Sequence, residues 1–279
     1  MFTLNCKGRL LVIDEPIVMG IINTTPDSFY AGSRATEIDN VLQKAGEMIK
    51  DGAAIIDVGG QSTRPDSKRI SANEERDRVL PFIEAIHENF PDIFISIDSF
   101  YSSVIREAVH AGASIVNDVS AGTLDPELIS TVAFLNVPYV LMHMKGDPQT
   151  MQQHAIYENV VLEVFDYLNN KLAELKQAGI NDIIIDPGFG FGKTTEHNFQ
   201  LINNLGFFTE LSKPILVGLS RKATVYKTLG ISSNEALNGT TVLNTICTLN
   251  GASILRVHDV KEAKEVIQLV QVTRKKREH

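Results

Sequence analysis

The chain has 279 residues, 43% hydrophobic and 22% charged, with 26 basic against 34 acidic side chains and a net charge of −8. That is a globular composition able to bury a large core, and its acidic balance argues against nucleic acid, whose phosphates need a net basic face. Cys6 and Cys247 form neither a disulfide framework nor a zinc spacing, the N-terminus has no secretory pattern, and no apolar run approaches the ~20 residues of a membrane span, so a cytoplasmic protein without membrane contact is expected.

Residues 1–15 begin with an alternating stretch, 2–13, broken by Cys-Lys-Gly, which predicts a short hairpin lying against the floor of whatever follows. Eight apolar, β-branched runs come next: 16–22, 53–58, 92–97, 113–117, 138–142, 182–186, 214–219 and 252–257. Continuous runs of this kind suit strands buried on both faces of a parallel sheet. Helical periodicity fills the gaps. Ile38, Val41, Leu42, Ala45 and Ile49 share a face before a stop at Gly52, and Val160 to Leu175 forms the longest stripe, ending at Gly179. Ser71 with Glu74, and Asp259 with Glu262, have capping-box spacing, and Pro81 is expected to kink or divide its helix. The apolar stripe ending at Val270, with Ile246 and Leu249, reads either as an interface or as core, and the basic tail 274–279 as a solvated end. Each strand-plus-helix unit averages about 32 residues, as in a (β/α)8 barrel of ~250 residues. The expected architecture is α/β: one (β/α)8 TIM-barrel domain over residues 1–279, with an open doubly wound sheet as the rival.

In such a barrel the chemistry lies at the C-terminal strand ends. Those positions hold Asn23 and Asp27, Asp57 with Gln61-Ser62-Thr63-Arg64-Pro65, Asp98, Asn117-Asp118, His143, Asp186, Ser220-Arg221-Lys222, and Arg256 with His258. Thr63, Arg64, Lys222, Arg256 and His258 supply donors and positive charge for an anion; Asp98, Asn117 and Asp186 suit the donor edge of a flat heterocycle. Asn23 and Asp27 are hard oxygen donors, and Asn23 suits Mg²⁺ held against a phosphate. The implied ligand is part heterocycle and part polyanion. Asp57 reads as a structural carboxylate bonding loop backbone, His143 as a packed barrel histidine, Asp118 as a brace for its loop, and Cys247 as core. Gly192-Lys193-Thr194 imitates the end of a P-loop, but Pro187 stands where that motif needs glycine. The 186–193 segment is expected instead to set Phe189 or Phe191 against a planar ligand.

The ordered set GIINTTPDSF (20–29), IIDVGGQSTRP (55–65), ISIDSF (95–100), IVNDVS (115–120), LMHMKGDPQTM (141–151), IIIDPGFGFGK (183–193), ILVGLSRK (215–222) and ILRVHDVKE (254–262) resembles the dihydropteroate synthase family over nearly the whole chain. The resemblance implies a Mg²⁺-using, homodimeric transferase of folate biosynthesis. In that family 7,8-dihydropterin-6-ylmethyl diphosphate condenses with p-aminobenzoate to give 7,8-dihydropteroate and diphosphate. It implies that Asp98, Asn117, Asp186, Lys222 and Arg256 hold the pterin, and that Asn23, Thr63, Arg256 and His258 hold the diphosphate, with Asn23 at the metal. Phe29, Thr63, Arg64, Pro65, Phe191 and Ser220 would border the p-aminobenzoate pocket, on loops that include Ser28 and Ser62. The family reaction is a dissociative C–O cleavage in which Lys222, Arg256, His258 and Asp186 would carry the catalysis, with no covalent nucleophile. Three departures stand out: Gln61 where Glu is usual, Ala223 where Ser is common, and Tyr30-Ala31 after D-S-F. The alternatives are a pterin-dependent methyltransferase barrel and an inactive pterin-binding homologue.

Overall fold

The computed structural model describes residues 1–24, 34–61, 69–147 and 151–275. Strands β1 (Phe2–Cys6) and β2 (Arg9–Ile13) pair antiparallel about Lys7-Gly8. Both turn residues have positive φ, 54° and 85°, which a two-residue turn with the native strand twist requires. All eight apolar runs are parallel strands: β3 (Ile17–Asn23), β4 (Ala53–Gly59), β5 (Phe94–Asp98), β6 (Ile115–Asp118), β7 (Tyr139–Met142), β8 (Ile183–Asp186), β9 (Leu216–Val217) and β10 (Ile254–Val257). The sheet runs β8-β7-β6-β5-β4-β3-β10-β9. A parallel bridge between Ile185 and Ile215 joins its two ends, so the sheet closes into a barrel. β9 is shorter than the 214–219 run; just before it the Pro214 carbonyl accepts Ile185 N–H at 3.0 Å and Ile215 bridges Ile185.

Helices α1 (Arg34–Lys50), α2 (Ala72–Asn89), α3 (Ser102–Ala111), α4 (Leu128–Leu135), α5 (Val160–Gln177), α6 (Thr195–Asn203), α7 (Ala223–Leu229), α8 (Leu237–Leu249) and α9 (Val260–Lys275) cover the outside. The predicted stops hold: Gly52 and Gly179 carry φ of 102° and 90° just past α1 and α5. Ser71 Oγ accepts Glu74 N–H at 3.2 Å. Pro81 lies within α2, which stays a single helix rather than dividing there. Of the basic tail, Arg274 is exposed at the end of α9 and donates its guanidinium to the carbonyls of Thr248 and Leu249 at the C-terminus of α8, while residues 276–279 lie outside the described residues. The apolar stripe divides: Val270 is core, while Val242, Ile246, Leu249, Leu269 and Val272 form an exposed apolar set on α8 and α9. No described helix is long and apolar enough to cross a membrane.

Strand residues alternate between helix side and lumen. At the bottom of the lumen Met19, Ile55, Ile115, Val140, Ile184, Leu216 and Ile254 are fully buried in one cluster with Leu4, Cys6, Leu11 and Ile13 of the hairpin. The hairpin therefore plugs the barrel floor. It is tied there by Lys7 Nζ to Val109 O at 2.6 Å and by Arg9, which donates to the carbonyl of Pro91 and stacks 4.5 Å from the centre of the Phe94 ring. Leu11→Ala is expected to destabilise the protein by roughly 2–5 kcal/mol in denaturant unfolding, because it opens a cavity under the barrel; an unchanged midpoint would mean the hairpin is not a plug.

Candidate active site

Two residues above the apolar floor the lumen turns polar. Asp57 follows Ile55, Asn117 follows Ile115, Asp186 follows Ile184 and Arg256 follows Ile254, each on the same strand face. Asn23, Asp98, Ser220 and His258 stand at the upper ends of their strands or just beyond.

Arg256 organises this layer. Its Nε donates to Asp57 Oδ2 at 2.6 Å and its Nη2 to Asp98 Oδ2 at 2.6 Å, with Nη2 also 2.6 Å from Asp57 Oδ2. Burial works against the guanidinium's charge, but Asp57 and Asp98 more than offset it and hold Arg256 ionised. Burial pushes the Asp98 carboxyl upward, Arg256 opposes that, and Asp57 adds to it. Asn117 Nδ2 donates to the same Asp57 Oδ2 at 3.1 Å, which leaves the amide oxygen as the group turned elsewhere. Asp57 thus bonds strand-end side chains, where the sequence suggested loop backbone. It is fully buried in the lumen and fixes two site residues, which a carboxylate beside a guanidinium does at lower electrostatic cost.

The second centre is Lys222. Its Nζ donates to Phe189 O at 2.7 Å and lies 4.6 Å from the centre of the Phe191 ring. Burial lowers its pKa to about 8, with Asp186 pulling the other way. Asp186 is pushed upward by burial, with Lys222 the main opposing group, and accepts Gly188 N–H at 2.7 Å. Of the two candidate aromatics, Phe191 meets the site and Phe189 is wholly core.

The segment between Asp186 and α6 explains the false P-loop. A phosphate nest aims N–H groups inward, whereas here the carbonyls converge. Lys193 Nζ, almost fully buried, donates to Gly188 O at 2.9 Å, Phe191 O at 3.1 Å and His143 O at 3.2 Å, and sits 2.8 Å from His143 Nδ1. His143 is indeed packed, edge-on to Tyr167 at 4.9 Å, and burial and Lys193 lower it to about 2. Asp118 braces its loop by accepting Ser120 N–H, Gly122 N–H and Tyr139 O–H, each at 2.7 Å.

His258 accepts or donates through Nδ1 to Ser220 Oγ at 3.0 Å, and burial with Arg256 lowers its pKa to about 4. It enters the site as a neutral imidazole, not as the cation expected from sequence. Arg221, at the end of the same strand run as Lys222, stands apart from the site. With φ of 55° it turns away from the lumen and forks onto Asp259, Nε to Oδ2 at 2.9 Å and Nη2 to Oδ1 at 2.7 Å. Asp259 stands immediately before α9, where its capping-box spacing puts it, and its carboxylate also ties the end of β9 to the end of β10, which sets Ser220 and Lys222 beside His258 and Arg256.

Asn23 closes β3, half-buried, in register with Gly59. No described group of three His, Cys, Asp or Glu side chains has the arrangement of a metal site. Gln61 Oε1 accepts Ile70 N–H at 3.1 Å, and Ala223 opens α7. Asp27, Ser28, Phe29, Tyr30, Ala31, Ser62, Thr63, Arg64 and Pro65 lie outside the described residues.

A closed parallel barrel with buried carboxylates, an amide and two cations at the C-terminal strand ends defines a (β/α)8-barrel enzyme with a polar, ligand-reading pocket. The family of pterin binding enzymes matches residues 19–258. The dihydropteroate synthase of Escherichia coli (strain K12) is 41% identical over 269 residues, spanning 96% of this chain and 95% of that protein. The Xanthomonas albilineans dihydropteroate synthase solved with 4-aminobenzoic acid superposes with a TM-score of 0.91 at 38% identity, covering 98% of each chain. The same enzyme in complex with 7,8-dihydropteroate gives 0.88 at 36% identity and equal coverage. The chain belongs to the pterin-binding enzymes and, within them, to the dihydropteroate synthase family of transferases.

The 187–193 turn carries a direct test. Gly188 has φ of 73°, and a Cβ there would stand 1.9 Å from His143 O. Gly188→Ala is therefore expected to lower stability by at least about 2 kcal/mol in chemical denaturation; wild-type stability would contradict this packing.

Proposed function

We propose that the protein condenses 7,8-dihydropterin-6-ylmethyl diphosphate with p-aminobenzoate, releasing 7,8-dihydropteroate and diphosphate. The observation that carries this reading is the Asp57–Arg256–Asp98 arrangement beside Asn117 and the Asp186–Lys222 pair, within a chain of this family. Asp98, Asp186 and the Asn117 amide oxygen match the ring and amino donors of a reduced pterin, and Lys222 donates to ring acceptors. Arg256 lies against the pterin face and, with neutral His258 as a hydrogen-bond partner, meets the diphosphate. Phe191 and Ser220 border the arylamine, together with Phe29, Thr63, Arg64 and Pro65.

The chemistry follows from these groups. The C–O bond to diphosphate breaks first and leaves a resonance-stabilised pterin cation, which the carboxylates of Asp98 and Asp186 tolerate. Lys222 and Arg256 stabilise the departing anion, and the arylamine nitrogen then attacks the cation, so no side chain becomes covalently attached. Mg²⁺ fits the donor chemistry here: Asn23, at the end of β3, offers a hard side-chain oxygen that would hold the ion beside the diphosphate. When bound, it neutralises diphosphate charge. The same reading has the protein working in the cytoplasm, in keeping with its two free cysteines. It also has the exposed apolar set of Val242, Ile246, Leu249, Leu269 and Val272 covered in a homodimer.

The decisive assay mixes protein, Mg²⁺, the dihydropterin diphosphate and p-aminobenzoate. Diphosphate and dihydropteroate are expected in equal amounts; no product would overturn the reading, and pterin binding without turnover would mark an inactive homologue. Lys222→Ala is expected to lower kcat/KM for the diphosphate substrate roughly 100-fold or more. Because Lys222 is cationic below about 8 and neutral above it, wild-type kcat/KM falls as pH rises through that value, and the residual activity of the variant lacks this limb. Leu269→Asp with Ile246→Asp is expected to convert a dimer to monomer in sedimentation, whereas a wild type that is already monomeric would refute the dimer.

A further inference from the structure

One fully buried acid stands behind the pocket, on the helix side, and takes no part in the chemistry above. Glu75 lies in the first turns of α2. Its Oε2 accepts Ser99 Oγ–H at 2.6 Å, and its Oε1 is sealed without a hydrogen-bond partner among the described residues. The nearby cations are engaged elsewhere: Arg78 pairs with Glu74, and Arg69 donates to the Tyr101 hydroxyl. A carboxylate taken out of water needs several donors or a partner charge. With one hydroxyl and no ion pair, Glu75 is held as the neutral acid. Burial raises its pKa to about 7; the Ser99 hydrogen bond and the charges of Arg69 and Arg78 oppose the rise, and Asp98 adds to it.

The acid sits where two pocket strands end. Ser99 follows Asp98, the last residue of β5, and alternation turns it from the lumen towards α2. Its N–H donates to Asn117 O at 3.0 Å, and its Oγ accepts Tyr101 N–H at 3.2 Å as well as meeting Glu75. Gly60, just past β4, packs on the same acid: a Cβ there would stand 3.1 Å from Glu75 Cγ. The neighbouring Gly59 meets Asp98 in the same way, with its Cβ position 3.3 Å from Asp98 Cβ. Glu75 therefore grips the ends of β4 and β5, and through Ser99 it reaches two pocket residues, Asp98 and Asn117.

We propose that Glu75 is a positioning residue for the heterocycle: as a neutral acid bonded to Ser99, it fixes the strand end that carries Asp98 and spares that carboxylate a second negative charge behind it. This rests on the dihydropterin reading and adds to it a residue that never touches the ligand. Ionised, Glu75 becomes a sealed anion with a single donor beside another carboxylate, and the strand end yields to relieve it. Asp98 is therefore best placed for ligand donors while Glu75 keeps its proton.

The test titrates a dihydropterin lacking the diphosphate into the full-length protein by calorimetry, at about pH 6 and about pH 8.5, comparing wild type, Glu75→Gln and Ser99→Ala. Glu75→Gln keeps the shape and an amide oxygen for Ser99 but cannot ionise. It is expected to bind within about twofold of wild type at the lower pH and roughly threefold or more tighter at the higher one. The titrations of Asp98 and Lys222 occur in both proteins and cancel in that ratio. Ser99→Ala is expected to weaken binding roughly three- to tenfold at the lower pH, while KM for p-aminobenzoate changes less than about twofold. Melting of the unliganded proteins supplies a second readout. An acid whose pKa rises from 4.5 to about 7 on folding stabilises the protein fully below 4.5 and loses that contribution as pH rises to about 7. Glu75→Gln is therefore expected to gain on wild type in melting temperature across that interval. A binding ratio that stays the same at both pH values would overturn the positioning role, even if Ser99→Ala fails to fold. A wild type that binds no dihydropterin would instead sink the dihydropterin reading, and this inference with it.

Discussion

One buried guanidinium, shared by two carboxylates, governs the upper half of this barrel. Arg256 rises from β10, Asp57 from β4 and Asp98 from β5, so a single ionic cluster spans the lumen between strands that lie far apart in the chain. Such a cluster adds little net stability, because desolvating three charges offsets most of their attraction. Its consequence is geometric. Removing any one member leaves an uncompensated buried charge, so each holds the others in place. Asn117 is oriented through Asp57 as well. The pocket is thereby pre-organised by its own charges before anything enters it.

A cluster of this kind survives only on a rigid base, which the lower half supplies. There the lumen is filled with branched aliphatic side chains and closed by the hairpin. The division is sharp: one side-chain layer is dry and the next is ionic. Stability resides in the floor and the helix-side core, while the upper layer keeps unsatisfied polarity that a uniformly packed barrel would have eliminated. Lys193 follows the same logic elsewhere. A buried ammonium gathers three carbonyls of irregular backbone, burial lowers its pKa well below the usual lysine range, and the loop that presents Phe191 is fixed as a result.

The barrel was legible in the sequence because buried parallel strands advertise themselves as uninterrupted apolar runs. The strand-end residues Asp98, Asn117, Asp186, Lys222 and Arg256 were legible because polar groups that end such runs have few structural uses. What could not be read was which polar groups satisfy one another. Asp57 looked like a loop brace since its partners, Asn117 and Arg256, are 60 and 199 residues away. Asp259 has the spacing of a cap and does open α9, but that Arg221 also forks onto it, from a backbone in the left-handed region, is not carried by spacing. His258 reads from sequence as a donor or a cation alike, because sequence carries no information on burial.

These errors share a cause with consequences for the charge balance of the site. Sequence counts formal charges, but the pocket redistributes them. Of the basic groups that the sequence names at the strand ends, His143 and His258 are driven neutral and Arg221 pairs with Asp259, which leaves Lys222 and Arg256 as the cations of the described pocket; Arg64 lies outside the described residues. Arg256 is already matched by carboxylates, and Lys222 is held near the point where it loses its proton. An anion entering here therefore does not meet a strong fixed field. It competes with Asp98 for Arg256 and raises the proton affinity of Lys222 as it binds. An acidic protein can in this way accept a diphosphate tightly enough to stabilise its departure and yet release it, because the attraction peaks only while the leaving group carries its full developing charge.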